Sequence, residues 1–171
     1  MKLLDILTYP DPRLRTVAKR VEKFDKSLQE LSENMLYTMY EADGIGLAAS
    51  QVDVHLRVIV MDISETRDEP MIFVNPEVEI LENKSHFSFK EGCLSVPGFY
   101  EEISRPDKIK LSWQDVDGKS HTSFPEGLLT VCIQHEIDHL EGKLMVDYVS
   151  RLKRERLKLS LIHISEPTRP Y

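Results

Sequence analysis

The sequence has few cysteines, no long apolar run and less positive than negative charge. Cys93 and Cys132 are the only two cysteines among 171 residues, too few for a disulfide framework, so a reducing compartment is expected. No stretch approaches the roughly 18 apolar residues that cross a bilayer. The N-terminus does not match a secretory signal either, because Asp5, Pro10 and Pro12 interrupt its apolar residues. These absences predict a cytoplasmic protein with no membrane partner.

The charge balance argues against general nucleic-acid binding. Lys and Arg number 22 against 29 Asp and Glu, which gives a formal net charge of −7. A general nucleic-acid binder would need an excess of cations to neutralise phosphates. The length suits a single domain, predicted over residues 1–159. Residues 160–171 contain Pro167 and Pro170, which exclude a helix there, and they are interpreted as an atypical tail, disordered or non-native.

Two helices are predicted in the N-terminal part. The first opens at Asp11 and Pro12, because an aspartate can cap a helix and proline fits its first turn. The second begins at the capping-box pattern of Ser27 and Glu30. Gly44 is the expected stop of this second helix.

The middle of the chain has the pattern of β-strands. Residues 58–61 and 71–74 are compact apolar runs, and apolar and polar residues alternate over 109–113. Asp117-Gly118 is a strong hairpin-turn signal. We therefore expect antiparallel strands between about residues 57 and 124.

A last helix is predicted between Pro125 and Gly142. Its apolar residues surround much of the helix circumference, so it should be central and buried. The order of helix, strands and helix predicts an α+β fold in which antiparallel β-sheets wrap around this central helix.

The sharpest chemical signal lies in that helix. His135 and His139 are four residues apart, so their imidazoles lie on one helical face and can bind the same metal ion. Glu136 lies beside them, where it can reach a water molecule on the ion. The HExxH pattern therefore indicates a metal-dependent hydrolase.

A catalytic site of this kind needs a third protein ligand and an open position for water. The downstream candidates are Glu141, Asp147 and His163, and the upstream candidate is Cys93 beside a glycine. Cys132 shares the helical face of the two histidines but is interpreted as a core thiol that lines the site. The residues alone leave the third ligand open.

Three segments resemble the motifs of the peptide deformylases. They are GIGLAASQ at 44–51, EGCLS at 91–95 and QHEIDH at 134–139, in the order in which the family has them. Residues 9–15 and 74–76 are also similar to the family. The resemblance runs from about residue 3 to about residue 155 and is of the bacterial type.

The resemblance implies a fold, an activity and a metal centre. The activity is metal-dependent hydrolysis of the N-formyl group from the formyl-methionine of nascent polypeptides, with release of formate. Cys93, His135 and His139 are the implied ligands, and Glu136 is the implied general acid–base. One divalent ion per chain is expected, Fe2+ first, with Zn2+, Ni2+ or Co2+ as substitutes.

The resemblance also implies which residues contact the substrate. Gln51 and the backbone N–H of Leu94 are expected to stabilise the oxyanion that forms on the formyl oxygen. The peptide is expected to lie along Gly46 as an added strand and to contact Gly92. Its methionine side chain would enter an apolar pocket whose wall is formed by Ile45, Leu128 and Val131.

Further expectations concern support, partners and a rival function. A metal-bound histidine usually donates a hydrogen bond from its second ring nitrogen to a carboxylate or carbonyl. Glu91, Asp138 and Arg105 are predicted to support the ligand histidines in this way. The basic C-terminal helix of relatives is linked to ribosome docking near the exit tunnel, so the ribosome is a further expected partner. The alternative function is an HExxH metallopeptidase, which would use a downstream ligand in place of Cys93.

Overall fold

The computed structural model describes the backbone of residues 1–165 and the side chains of residues 1–162. The elements of this part of the chain are α1 (Lys26–Glu41), β1 (Gly46–Ala48), β2 (Val58–Met61), β3 (Met71–Ile80), β4 (His86–Cys93), β5 (Val96–Pro106), β6 (Ile109–Gln114), β7 (Ser120–Ser123), α2 (Leu128–Leu140) and α3 (Arg151–Ser165).

The strands form two antiparallel sheets. Five of them lie in the order β1-β2-β3-β6-β7, and β4 pairs with β5 in a second sheet. Strand β1 therefore stands at one end of the larger sheet. The predicted α+β fold with antiparallel sheets is confirmed.

The N-terminal helices differ in part from the prediction. The helix expected at Pro12 is only a four-residue 3-10 helix, Pro12–Arg15, which is followed by extended chain at Thr16. Helix α1 is present, but its N-cap is Asp25 rather than Ser27, because the Asp25 carboxylate accepts a hydrogen bond from the Leu28 N–H at 3.2 Å.

Strand β2, which lies between β1 and β3, is buried at every position, and this fits its uninterrupted apolar sequence. The neighbouring strand β3 changes register after Val74, where Asn75 adopts a left-handed φ of 51°. The Asn75 side chain accepts from the Val21 N–H and donates to the Val21 carbonyl, which ties the N-terminal segment to the sheet.

The predicted hairpin joins β6 and β7. Gly118 has a φ of 83°, a conformation that favours glycine, and its N–H donates to the Asp115 carbonyl at 3.0 Å. The turn signal read from Asp117-Gly118 is confirmed.

Helix α2 lies at the centre of the fold, as predicted, and none of its residues is exposed. Ile133 and Leu140 pack in one core cluster with Ile59, Met61 and Phe73 of the five-stranded sheet. The helix ends before Gly142, whose φ is 75°. A side chain at that position would meet the Arg15 carbonyl oxygen at 2.5 Å, so the close approach of the two backbones requires glycine.

Helix α3 continues past the boundary predicted at residue 159. It runs to Ser165, and Leu161 is buried in a cluster with Leu7, Leu14 and Met145. Residues 166–171 of the predicted tail, with Pro167 and Pro170, lie outside the described residues. Within residues 1–165, no helix combines the length and the apolar character needed to cross a membrane.

Candidate metal centre

Helix α2 brings three candidate site residues close together in the core. His135, Glu136 and His139 are all buried, with relative exposures of 7%, 5% and 1%. Buried imidazoles and carboxylates are costly unless they have partners or a function. The helical spacing sets the two rings next to each other, with centroids 5.2 Å apart.

Cys93 joins these residues from the end of β4. The pairing of β4 with β5 changes register between Gly92 and Cys93, which turns the chain towards α2. The Cys93 Sγ atom lies 3.3 Å from Nε2 of His139. One ligand atom from each of Cys93, His135 and His139 lies within 4.8 Å of the others. Of the upstream and downstream candidates for the third ligand, the fold therefore brings Cys93 to the histidine pair.

These donors fit a divalent metal ion. Ligand atoms about 2.0 to 2.3 Å from one tetrahedral ion are roughly 3.5 Å apart, close to the distance between Cys93 and His139. A thiolate with two imidazoles suits borderline ions such as zinc and ferrous iron. With three protein ligands, a fourth position is left for water or substrate, as in catalytic sites.

The orientation of His135 is set by a carboxylate behind it. Nδ1 of His135 donates to Glu91 Oε1 at 2.9 Å, so Nε2 is the nitrogen left for a metal ion. Burial would lower the pKa of His135, but contacts with Cys93 and Glu91 raise it well above its ordinary value in the metal-free chain.

Glu91 belongs to a buried network with the two other predicted support residues. Arg105 donates to both Glu91 oxygens at 2.6 and 2.9 Å, and to Asp138 Oδ2 at 3.0 Å. The Tyr148 hydroxyl also donates to Asp138. Burial alone would raise the pKa of Glu91, yet hydrogen bonds from His135 and Arg105 lower it. Of the three predicted support residues, Glu91 contacts His135 directly, and Arg105 and Asp138 are joined to it through hydrogen bonds.

His139 has different surroundings. Burial, with the nearby His135, holds the pKa of His139 well below its ordinary value, which favours the neutral ligand form. Its Nδ1 atom is buried without a hydrogen-bond partner among the residues that the structure describes. The support found behind His135 is therefore not repeated at His139 within that part of the chain.

Glu136 lies next to the ligand nitrogen of His135, with 3.7 Å between Oε1 and Nε2. Its other oxygen, Oε2, is buried and has no hydrogen-bond partner within residues 1–162. Burial, opposed by His135, raises the pKa of Glu136 to about 7. A carboxyl group with such a pKa can both accept and donate a proton near neutral pH.

Gln51 is held beside Cys93 by three contacts. It belongs to the 3-10 helix Ala49–Val52, and its Oε1 accepts from the Ala48 N–H at 2.9 Å. Its Nε2 donates to Ser95 Oγ at 3.0 Å and to Cys93 Sγ at 3.6 Å. The amide N–H groups therefore point towards the second motif. Sequence reasoning missed Ser95, although it lies inside that motif.

A cavity of about 430 Å³ opens onto Cys93, His135 and Glu136. Five of the residues predicted to contact the substrate line it, namely Ile45, Gly46, Gly92, Leu128 and Val131. Leu94 also lines it. Gln51, predicted to contact the formyl oxygen, is not among the described residues that line this cavity. The lining residues for which we had no expectation are Asp43, Phe89, Lys90, Pro97, Gly98 and Tyr100.

Two glycines make room at the walls of this cleft. A side chain on Gly46 would lie 3.2 Å from Glu136 Oε1, and one on Gly92 would collide with the Tyr100 ring at 2.6 Å. Tyr100 is 62% exposed and Ile45 is 40% exposed. The cleft is therefore an open groove with a partly apolar wall.

The other candidates for the third metal ligand have different partners in the structure. Glu141 accepts from Arg57 at 2.8 Å, and Asp147 accepts from Arg15 at 2.7 and 2.9 Å. Cys132 packs in the core and lines the cleft, and burial raises the pKa of its thiol to about 12. It is the core thiol expected from the sequence. The side chain of His163 lies outside the described residues.

Comparison with known proteins identifies the family of the chain. Residues 3–155 match the family model described as polypeptide deformylase. A peptide deformylase of Saccharophagus degradans is 56% identical over 161 residues, covering 94% of this chain and 93% of that protein. One from Stutzerimonas stutzeri is 57% identical over 161 residues, covering 94% and 95%.

Solved structures give the same result for the fold. The crystal structure of a peptide deformylase from Legionella pneumophila is similar with a TM-score of 0.86 and 44% identity, covering 97% of this chain and all of that one. A peptide deformylase from Ehrlichia chaffeensis, crystallised in complex with actinonin, has a TM-score of 0.92 at 37% identity, covering 98% and 100%.

Proposed function

The chain belongs to the polypeptide deformylase family and removes the N-formyl group from nascent peptides, and we propose that Cys93, His135 and His139 hold the metal ion for this reaction. The observation that carries the proposal is the convergence of one sulfur and two ring nitrogens within 4.8 Å at the wall of a cleft. The HExxH metallopeptidase alternative is not favoured, because its downstream carboxylates Glu141 and Asp147 are bound to arginines.

Ferrous iron is the ion we propose, with Zn2+, Ni2+ or Co2+ able to occupy the same donors. When bound, such an ion supplies Lewis acidity, which lowers the pKa of water towards about 7. The protein ligands contribute one thiolate charge and two neutral rings. Glu91 and Arg105 keep His135 in the orientation that leaves Nε2 free for the ion.

Glu136 acts as the general acid–base of the proposed mechanism. Its Oε2, which lacks a partner among the described residues, accepts the proton of the attacking water. The same carboxyl group then donates this proton to the nitrogen of the leaving amine. The formyl C–N bond breaks, formate is released, and the carboxylate returns to its starting form.

Gln51 and Leu94 stabilise the negative charge that develops on the formyl oxygen. The Gln51 amide is buried and oriented by Ala48 and Ser95. Of its two N–H groups, the one in long contact with Cys93 Sγ at 3.6 Å is the donor that turns to the formyl oxygen. The backbone N–H of Leu94 belongs to the turn between β4 and β5 that borders the cleft. One donor of this kind contributes about 3 kcal/mol in a transition state.

The formyl peptide lies along Gly46 in this proposal. Strand β1 is an edge strand of the five-stranded sheet, and its Gly46 borders the cleft. An extended peptide can pair with such an edge as an added strand. The methionine side chain enters the apolar wall formed by Ile45, Leu128 and Val131, and Gly92 leaves room for the substrate backbone.

The test is release of formate from a formyl-Met peptide by iron-loaded protein. We expect the Glu136→Ala variant to keep its metal and to lose activity by roughly 10²- to 10⁴-fold, because the proton carrier is removed. Metal content is measured on the same samples.

Two further variants separate this proposal from the peptidase alternative. Cys93→Ala should lose the metal, whereas Glu141→Ala should keep both metal and activity. The reverse pattern, with metal retained without Cys93 and lost without Glu141, would contradict the proposed ligand set.

We also propose that the protein works in the cytoplasm on formyl-Met peptides at the ribosome, with α3 as the docking element. Five basic residues in the first half of α3 support this proposal, namely Arg151, Lys153, Arg154, Arg156 and Lys158. A cationic helix on a chain with net charge −7 is suited to bind an anionic surface.

A further inference from the structure

We infer that Arg67 is a positioning residue for deformylation, because it fixes the backbone of the cleft wall along which the formyl peptide runs. The inference rests on the proposed path of the peptide beside Gly46. Arg67 lies in the loop between β2 and β3, away from the three sequence motifs that suggested the active site.

The Arg67 side chain contacts the cleft wall through one hydrogen bond to a backbone carbonyl. Its Nη2 donates to the carbonyl oxygen of Gly44 at 2.6 Å, and its guanidinium lies 5.1 Å from the centre of the Tyr40 ring. Gly44, Ile45 and Gly46 all line the cleft. Arg67 is not part of the cleft lining that the described residues form, so it acts on the wall and not on the substrate.

Asp62 connects the Arg67 loop to the same wall. Its backbone N–H donates to the Ile45 carbonyl at 2.9 Å. Its fully buried carboxylate accepts from the Tyr40 hydroxyl at 2.5 Å, from the N–H and hydroxyl of Ser64, and from the Glu69 N–H. The loop that carries Arg67 and the edge that carries Ile45 therefore share one anchor.

The backbone of Arg67 is itself held in an uncommon conformation. Its φ is 60°, in the left-handed region that residues with a side chain seldom adopt. Such a conformation persists where the surroundings over-determine it. Here Asp62 holds the loop on both sides of Arg67, through Ser64 and Glu69.

A displacement of Gly44 would reach two parts of the proposed active site. The Gly44 N–H donates to the Met39 carbonyl and its C=O accepts from Arg67, so both backbone groups of Gly44 are bound within the protein. A side chain at Gly44 would meet Leu94 Cδ1 at 2.6 Å. The contact made by Arg67 therefore fixes the spacing between the edge at Gly46 and the turn at Leu94.

The test compares substrates of two lengths on the metal-loaded enzyme. One substrate is formyl-Met amide and the other is formyl-Met-Ala-Ser. The increase in kcat/KM from the short to the long substrate, called the length gain, measures how well the β1 edge at Gly46 binds the residues after methionine. In Arg67→Met this gain should fall by roughly three- to tenfold, which is about the value of one ordinary hydrogen bond. The loss should be mainly in KM, and Arg67→Lys should restore part of the gain.

Arg57→Met is the matched control. Arg57 also donates to a backbone carbonyl, that of Pro76 at 2.8 Å, but neither residue lines the cleft. The Arg57→Met variant should therefore show the same increase in kcat/KM with substrate length as the wild type. Thermal unfolding of each variant checks that the fold is retained. A full length gain in Arg67→Met would overturn the inference. A wild-type enzyme without any length gain would instead overturn the proposed peptide path at Gly46.

Discussion

At the scale of single residues, Glu91 contacts the proposed ligand His135 without being a proposed ligand itself. It is 5% exposed and accepts hydrogen bonds from His135 on one side and from Arg105 on the other. A buried carboxylate is stable only with such partners, and removing one member of a buried ion pair leaves the other charge uncompensated. Loss of Glu91 therefore affects both the orientation of His135 and the burial of Arg105.

We expect Glu91→Ala to lower metal affinity by roughly 10- to 100-fold, the usual effect of removing the partner of a ligand histidine. The measurement is competition with a chromophoric chelator at constant pH. Since the Ala variant leaves Arg105 buried without its partner, Glu91→Gln is the second variant. It keeps an acceptor for His135 and should lose less affinity.

Glu101→Ala is the control for Glu91. Glu101 is the register partner of Glu91 on β5, but its carboxylate accepts from Lys153 at the surface. Its removal should leave metal affinity unchanged. If Glu91→Ala binds the metal as tightly as Glu101→Ala does, the supporting role of Glu91 is wrong.

The placement of single residues could be predicted where local spacing determines geometry. His135 and His139 are one helical turn apart, so their shared face follows from the sequence. The third ligand could not be found from residue types alone, because it comes from β4 and depends on a register shift at Gly92. The resemblance to a family was needed to select Cys93. Arg67 carried no local signal, because its contact with Gly44 joins two loops.

Among the elements, the strongly apolar ones were predicted one by one, whereas the polar strands were predicted only as part of the strand region between about residues 57 and 124. Strand β2 and helix α2 have apolar runs whose burial follows directly from their sequences. Strands β4 and β5 are mostly exposed or half-buried. Their sequences show little alternation of apolar and polar residues, so periodicity did not give their bounds. The helix expected after Asp11 ends at Arg15, since the chain beyond it is extended and pairs at Lys19 with Leu56.

The proposed docking on the ribosome depends on the basic residues of helix α3. Lys153 and Arg154 form ion pairs with Glu101 and Asp147, so they help to hold the helix on the fold. Reversing the exposed Arg151, Arg156 and Lys158 to Glu should weaken cosedimentation with ribosomes and reduce its dependence on salt, because fewer phosphates are neutralised.

The same triple variant should keep its kcat/KM on a short formyl-Met peptide, because α3 does not line the cleft within the described residues. Reversal of Arg20, Lys23 and Lys26, which precede or begin α1, is the matched change in net charge. Equal loss of ribosome binding in the two triple variants would show a general charge effect and would contradict docking through α3.

In the molecule as a whole, the site is assembled from segments that are far apart in sequence. Cys93 and His139 are 46 positions apart, and Gln51 is 42 positions from Cys93. Such contacts depend on how the two sheets pack around α2, which local patterns do not determine. The predicted class of fold was confirmed because the order of helix, strands and helix restricts the packing, whereas the distances within the site needed the folded chain.

The stability of the whole fold should depend on pH through Asp62. Burial would raise the pKa of Asp62, but hydrogen bonds from Ser64 and Tyr40 lower it from its ordinary 3.8 to about 2. A carboxylate with a depressed folded-state pKa stabilises the protein above its unfolded pKa and loses that contribution as the pH falls through the folded value. The contribution of Asp62 should therefore be full at neutral pH and decline between about pH 4 and pH 2.

Asp62→Asn tests this dependence, because an amide cannot ionise and its NH₂ group opposes one of the donors that Asp62 accepts. Near pH 6 the variant should unfold with about 2 kcal/mol less free energy than the wild type, the usual loss for hydrogen bonds to a charged group. Urea unfolding repeated down to about pH 2.5 should show this difference shrinking as the wild-type carboxylate is protonated. A difference that stays constant over that range would mean that the Asp62 carboxylate does not stabilise the fold through its charge, and the Tyr40 and Ser64 contacts would then contribute only as neutral hydrogen bonds.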